Sequence, residues 1–459
     1  MTTSHLPLFP DEPVPAIEPA TAVTPMATRA TARVQMPNRL QLEMRSSDLE
    51  SLIPVDHRVR TVWAYVERLN LDAFYERIKA VAGNKGRSAI APEILLSLWL
   101  YGIVEGVGSA RALSRLSEEH DAYRWLCGGV SVNYHTLADF RVCNGAALDS
   151  MLTASVASLM DVGAVKLVRV AQDGMRVRAS AGSKSFRRKD TLEQCLEVAA
   201  ARVAQLKAQV DSDPSGDSRR EVAARERAVR ERQQKIEKAL RRLPKLEAAK
   251  ARQAERSKKK VMPPRVSMTD ADATIMKMPN SGYNPAYNVQ FCTDTESQVI
   301  VGVDMLMAGA DQGQLTPMLD QIEKRYARTP DEYLVDGGYV SAQQIEATEA
   351  KCTVYAPVPV RSRDTLKPHD PHPKDSASLA AWRARMASPE AKEIYKDRAA
   401  TAECVNALAR ERGLTRLRVR GLTKTKATVM LYALAHNMMR IAKLAPQLLG
   451  IGQLDIKTA

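Results

Sequence analysis

Between residues 56 and 163, apolar side chains return at three- and four-residue steps. Val59, Val62, Trp63, Val66 and Leu69 form one set, and Ile94, Leu95, Leu98 and Tyr101 behind Pro92 form another. That spacing stacks them on one helical face, and proline is well placed in a first helical turn, so the stretch predicts a helical domain. Near its end, Ser109-Ala110-Arg111-Ala112-Leu113 and Asn133-Tyr134-His135-Thr136-Leu137 through Phe140-Arg141 predict two short helices with polar heads. They fit a helix-turn-helix or, equally well, an ordinary helical bundle.

The period then changes. Residues 166–171 alternate, with Val168 and Val170 on one side, and predict a strand running into Gln172-Asp173-Gly174, which places a carboxylate at a strand end. Further strands are expected over 287–292, 299–303, 333–335 and 352–358, with helices over 311–328 and 341–351 between the last three. Strands first and then alternating helix and strand is a mixed α/β pattern.

An insertion separates the first two strands. Leu196, Ala199, Val203, Leu206 and Val210 step by three and four, Val222, Val229, Ile236 and Leu243 step by seven, and Asp213-Pro214-Ser215-Gly216 lies between them. This predicts a helical hairpin. Residues 218–260 carry 17 Lys and Arg against six Glu, most of the excess in a chain whose formal net charge is +14. Such a run is ordinarily a solvated face; concentrated in a basic protein, it also suits contact with a phosphate backbone through residues such as Arg219, Arg220, Lys258, Lys259 and Lys260.

The remaining composition narrows the classes. The longest apolar run, 94–104, is too short to span a bilayer, and residues 1–37, rich in Pro, Thr and Ala, predict a disordered leader without the pattern of a secretory signal. A cytoplasmic location is the resulting expectation. The six cysteines are isolated and predict reduced core thiols. There is no H-E-x-x-H, no phosphate loop, no dinucleotide fingerprint and no G-x-S-x-G elbow, and His369-Asp370-Pro371-His372 among prolines suits a loop better than a metal site.

Carboxylates remain. Asp173 follows one predicted strand, and Asp336 follows another in Tyr333-Leu334-Val335-Asp336-Gly337-Gly338-Tyr339. If those strands are neighbours, two like charges converge and call for a hard divalent cation. A late helix adds Tyr395, Arg398, Glu403 and Arg410, with Glu403 and Arg410 within about 20° of one face.

These motifs, with Tyr287-Asn288-Val289-Gln290 on the second strand and the closing Arg420-Gly421-Leu422 and His436-Asn437, resemble a DDE transposase of a bacterial insertion sequence. The resemblance is to the insertion sequence 1182-like group, in the branch whose last motif is Tyr, Arg, Glu, Lys. It implies an RNase H-like mixed sheet core and two Mg²⁺ ions, with Mn²⁺ as a substitute. Asp173, Asp336 and Glu403 would be the catalytic and metal-binding acids. It also implies double-stranded DNA partners, namely terminal inverted repeats and target, and a homodimer in a synaptic complex. Tyr395, Arg398, Arg410, Arg176 and Arg178 join the hairpin residues as DNA-binding candidates. Two departures stand out: four residues rather than three separate Arg398 from Glu403, which turns them about 140° apart on an unbroken helix, and Arg410 replaces the final Lys.

The expected organisation is a leader over 1–38, a helical and DNA-binding domain over 39–163, and a catalytic core over 164–188 and 263–445. The hairpin is inserted over 189–262, and a tail covers 446–459. Competing readings are a transposase-derived DNA-binding protein that no longer cuts, and a nuclease of the same fold.

Overall fold

The computed structural model describes residues 40, 48–80, 83, 87–212, 216–257, 262–279, 282–360 and 368–450, so the expected leader lies outside the described residues. The chain divides into Met1–Ser47 and Asp48–Ala459, and the helices and strands of the described residues belong to the second unit.

Seven helices come first: α1 (Arg58–Val66), α2 (Asp72–Tyr75), α3 (Pro92–Val104), α4 (Ala110–Glu119), α5 (Asp121–Cys127), α6 (Tyr134–Cys143) and α7 (Gly145–Asp161). α3 is buried continuously from Ile94 to Ile103, as a helix apolar on every side must be. Polar caps set its neighbours: Ser109 Oγ accepts from the Ala112 N–H, and Asn133 Oδ1 from the Thr136 N–H at 3.0 Å. α5 stands between α4 and α6, so the two helices that fit a helix-turn-helix are the first and third of a three-helix run.

The sheet strands are β1 (Arg169–Arg178), β2 (Phe186–Arg187), β3 (Val266–Ser267), β4 (Thr274–Lys277), β5 (Tyr283–Asp294), β6 (Ile300–Leu306), β7 (Glu332–Leu334) and β8 (Thr353–Tyr355). β4, β5, β1, β7 and β8 lie side by side in that order, β6 also pairs with β5, and β2 pairs with β3 apart from them. β1 is antiparallel to β5 and parallel to β7, making a mixed sheet. Helices α10 (Leu315–Tyr326) and α11 (Ala342–Glu349) connect β6, β7 and β8.

Contrary to the expectation from sequence, Asp173 does not end β1, because pairing with β5 carries the strand on to Arg178. What stops near Asp173 is the other edge, where pairing with β7 ends at Ala171↔Leu334.

The inserted hairpin is α8 (Lys189–Ser212) followed by α9 (Gly216–Ser257). Leu192, Ala199, Ile236 and Leu243 are buried between them, whereas Val222 and Val229 nearer the tip are only half-buried. Its base is pinned: Lys238 pairs with Asp272 at 2.6 Å, and Arg242 donates to the carbonyls of Ala271 and Ala273.

After α12 (Ala377–Ala387), a continuous helical run comprises α13 (Pro389–Arg398), a π turn (Ala399–Glu403) and α14 (Cys404–Glu411). α15 (Leu422–Leu444) then threads between the helical region and the sheet. The Asn437 amide accepts from the Ile300 N–H at 2.9 Å and donates to the Ile300 carbonyl at 2.8 Å, fastening α15 to β6. Beside it, burial pulls the His436 imidazole down to about 4, and its Nε2 meets the Gln298 carbonyl at 2.8 Å. All six cysteines are free, but only Cys127, Cys292 and Cys352 are core thiols: Cys195 and Cys404 are half-buried, and Cys143 is exposed because it ends α6 at the surface. Among the described residues, no helix is long and apolar enough to cross a membrane.

Candidate active site on the central strands

Side chains alternate across a strand, and this sorts β1 into two faces. Gln172, Gly174 and Arg176 share one face with Cys292, Gln290 and Asn288 of β5; Ala171, Asp173 and Met175 share the other. β7 continues this order, for two residues beyond Ala171↔Leu334 the chains reach Asp173 and Asp336 respectively. Asp173, within β1, and Asp336, two residues past the end of β7, therefore come near each other. Burial pushes the Asp173 carboxyl up, Arg398 opposes that, and Asp336 raises it again. Asp173 accepts from the Gly174 N–H at 2.9 Å and from Asn406 Nδ2 at 3.0 Å.

The opposite face explains Gly174. A Cβ there would lie 2.3 Å from Asp311 Oδ1 and 2.5 Å from Gln290 Nε2, so no side chain fits. Asp311 accepts from Asn288 Nδ2 at 2.6 Å and from Gln290 Nε2 at 2.7 Å, and Gln290 accepts from Gln172 Nε2 at 2.8 Å. Tyr339 also donates to Gln290, and Tyr333 donates to Gln172 at 2.6 Å. This buried polar network holds β1, β5 and the segment after β7 in one register. Tyr287-Asn288-Val289-Gln290 contributes Asn288 and Gln290 to it, while Tyr287 faces away and donates to Asp270.

The α13–α14 run lies across β1 and β5 through its π turn. Arg169 on β1 ties it down, pairing with Glu332 of β7 at 2.5 Å and with Asp397 beside Arg398. A regular α-helix would turn Arg398 about 140° from Glu403. The π turn accommodates the extra residue through i→i+5 closure, and Arg398 Nη2 meets Glu403 Oε1 at 2.6 Å. The four-residue spacing misaligns Arg398 only on an unbroken helix, and here the π turn interrupts it. Burial works against the Arg398 charge, but Tyr395, Asp173, Glu403 and Asp336 outweigh it and drive its pKa up. Its guanidinium also stands over the Tyr395 ring at 5.8 Å.

The structure thus gathers Asp173, Asp336, Tyr395 and Glu403 around the Arg398 guanidinium. It does not set three acids at ligand spacing: among the described residues, no group of three or more His, Cys, Asp or Glu is placed to hold a metal ion. The reason is local, since Glu403, 53% exposed, turns to Arg398. The donor chemistry still suits a hard divalent cation, because hard carboxylate oxygens converge and one is burdened by its neighbour's charge.

Other candidates fall elsewhere. Arg410 is exposed on α14, seven residues beyond Glu403. Arg176 is committed internally, donating to the carbonyls of Lys277 at 3.0 Å and Gly309 at 2.9 Å. Arg178 is exposed at the end of β1. The side chains of Arg219 and Arg220, and Lys258, Lys259 and Lys260, lie outside the described residues. Sequence reasoning missed Asn406, whose only signal is its position three residues after Glu403, and Asp311, which nothing in its local sequence distinguishes.

Residues 47–143 match the family model described as a transposase domain, DUF772, and residues 348–442 match a transposase DDE domain. The second match contains Tyr395, Arg398, Glu403 and Arg410; neither covers Asp173 or Asp336. No curated protein and no solved structure gave a match. A transposase domain ahead of the sheet and a transposase DDE domain that begins at its β8 strand support the reading of this chain as a DDE-type transposase of an insertion element.

Proposed function

We propose that the protein binds the terminal inverted repeats of its own insertion sequence, of the 1182-like group, and catalyses metal-dependent strand cleavage and transfer. The observation that carries this reading is the placement of Asp173 on β1 beside Asp336, two residues past the end of the neighbouring parallel strand β7, with the Arg398 guanidinium from the matched DDE domain within reach of both and of Glu403. The order β6, β5, β1, β7, β8, with β7 and β8 parallel to β1, supports an RNase H-like core.

Asp173, Asp336 and Glu403 would hold two Mg²⁺ ions, which when bound supply Lewis-acid activation of the attacking oxygen and neutralise the leaving one. The chain's own residues do the rest. Asn406 fixes the rotamer of Asp173, and the Gly338 N–H, 2.8 Å from Asp336 Oδ1, does the same for Asp336. Arg398 occupies the centre of the acids and exchanges Glu403 for a backbone phosphate when DNA enters. Tyr395 steadies that guanidinium, and Arg410 adds a second phosphate contact from the next turns of the same helix. Two ends must be joined, so the working form is a synaptic dimer, acting on DNA in the cytoplasm.

A strand-transfer assay with element ends, a supercoiled target plasmid and Mg²⁺ or Mn²⁺ tests the reading. Joined products from the parent and none from Asp173→Asn are expected. Tight end binding without nicking in either metal would instead favour a binder that no longer cuts, and hydrolysis without joining would favour a nuclease.

A further inference from the structure

Beyond the acids, a basic segment pairs with the end of β1 and continues toward α15. Arg178 donates its N–H to the Thr415 carbonyl at 3.1 Å and accepts from the Leu417 N–H at 2.8 Å, so residues 415–417 run parallel to β1 as an added edge. Along this edge Arg416, Arg418 and Arg420 are exposed while Leu417 is buried.

The strip forms one wall of a cleft of about 1000 Å³. α6 of the helical region supplies a second wall, α9 of the hairpin a third, and Lys424 in the first turns of α15 closes one end. Seven cationic side chains line the cleft against four acidic ones. Three of the acids are engaged: Glu231 pairs with Lys235, Glu237 accepts from Gln233, and Asp270 accepts from Tyr287 and the Gly421 N–H through Oδ1; Asp139 is the fourth. By contrast Arg141, Arg241, Arg418, Arg420 and Lys424 have no carboxylate partner among the described residues.

Arg141 is the telling member. It is 6% exposed, its Nε has no hydrogen-bond partner, and its guanidinium lies over the Trp99 ring at 4.6 Å while donating to the Gly108 carbonyl. Burial, helped by Arg418, pulls its pKa down to about 10, the direction expected where positive charge lacks a counter-charge. A buried cation left this way is costly unless an anion arrives.

We infer that this cleft, between α6, α9 and the 416–424 strip, is a track for the phosphate backbone of duplex DNA leading to the end of β1. The inference rests on the transposase reading and extends it by assigning the hairpin a place: its base forms a fixed wall of the DNA channel. Cations without carboxylate partners, brought together from α6, α9 and the 418–424 segment, suit a polyanion, and contact through phosphate is independent of sequence.

The test is fluorescence anisotropy of the full chain with a fluorescein-labelled random-sequence duplex, read as a function of salt. Removing three phosphate contacts in Arg418→Ala/Arg420→Ala/Lys424→Ala should flatten the log–log salt slope by about 2.7, with affinity at low salt falling about tenfold or more. The charge-conserving Arg418→Lys/Arg420→Lys/Lys424→Arg should keep the parent slope, which separates lost charge from lost fold. Alanine at the exposed, ion-paired Lys166 and Lys351, outside both the cleft and the helical domain, should leave the slope unchanged. A parent-like slope in the cleft triple variant overturns the inference and leaves the transposase reading standing. A parent chain that binds no duplex overturns both.

Discussion

Deleting Ala400 removes one residue from the π turn and tests what that turn does. With one residue fewer, Arg398 and Glu403 become i and i+4 on a regular helix, about 40° apart, and their ion pair survives. The segments on either side keep their faces, because the turn already absorbs a single extra residue. The losses are small: the Gln298 Nε2 bond to the Ala400 carbonyl, 3.4 Å long and exposed, is worth about 0.5–1.5 kcal/mol at most. Regular i→i+4 bonding offsets part of that. The deletion should therefore lie within about 1 kcal/mol of the parent, a melting shift of no more than about 2–4 °C. Deleting Ala407 is the control. It turns one side of α14 by about 100° against the other, and the buried Val405, Asn406 and Ala409 cannot all keep their contacts. Exposing Val405 alone costs about 1.5–3 kcal/mol, and a stranded Asn406 adds to it. Thermal unfolding by circular dichroism compares the two, with strand transfer as the second readout. Equal damage from both deletions would refute the idea that the π turn realigns Arg398 with Glu403.

Asn437→Ala strands the Ile300 N–H and carbonyl in the core and should cost about 2–4 kcal/mol in urea unfolding; a loss under about 0.5 kcal/mol would show that water replaces the amide. Because burial raises the Asp173 pKa in the fold, the folded state holds that proton more tightly, and stability falls as pH rises from the unfolded carboxyl value through the folded one. Asp173→Asn should then be more stable than the parent at neutral pH while inactive, and a lower melting temperature at pH 7 counts against it. His436 behaves oppositely: held at about 4 against 6.5, it adds stability that is complete above pH 6.5 and fades as pH falls toward 4, worth up to about 3 kcal/mol. His436→Gln should remove that dependence between pH 4 and 6.5. Arg176→Ala should lower stability, by freeing the Lys277 and Gly309 carbonyls, and leave the salt slope of DNA binding alone; a flatter slope would show that Arg176 meets phosphate.

The legibility of each element in the sequence depends on its physics. Helices with wide apolar stripes, such as α1 and α3, and strands with apolar runs, such as β5 and β6, announce themselves because their burial is one-dimensional along the chain. The short strands β2, β3 and β4 do not, since each pairs over at most four residues and is defined by its neighbour rather than its own composition. The end of β1 is misleading for a related reason: Asp173-Gly174 has the look of a strand terminus, but pairing with β5 on one edge overrides it. At the candidate site, Asp173, Asp336 and Glu403 are visible as acids in context. The π turn is not, because Ala399-Ala400-Thr401-Ala402 reads as ordinary helix and the bulge arises from anchoring at both ends. Arg176 looks like a basic residue near an acid, and only the fold shows its guanidinium spent on two carbonyls. The unpaired charges of the cleft come from α6, α9 and the 416–424 strip, separated by many residues, so no local pattern could join them.

The central claim is that Asp173, Asp336 and Glu403 act together on a divalent ion once DNA has drawn Arg398 away. Iron-directed backbone cleavage addresses it most directly: Fe²⁺ replaces Mg²⁺ on the protein bound to an element-end duplex, peroxide and ascorbate generate local radicals, and the peptide breaks are mapped. The account predicts cuts beside all three acids, dependent on DNA and suppressed by excess Mg²⁺. Cuts beside Asp173 and Asp336 alone, with Glu403 untouched whether or not DNA is present, would contradict it.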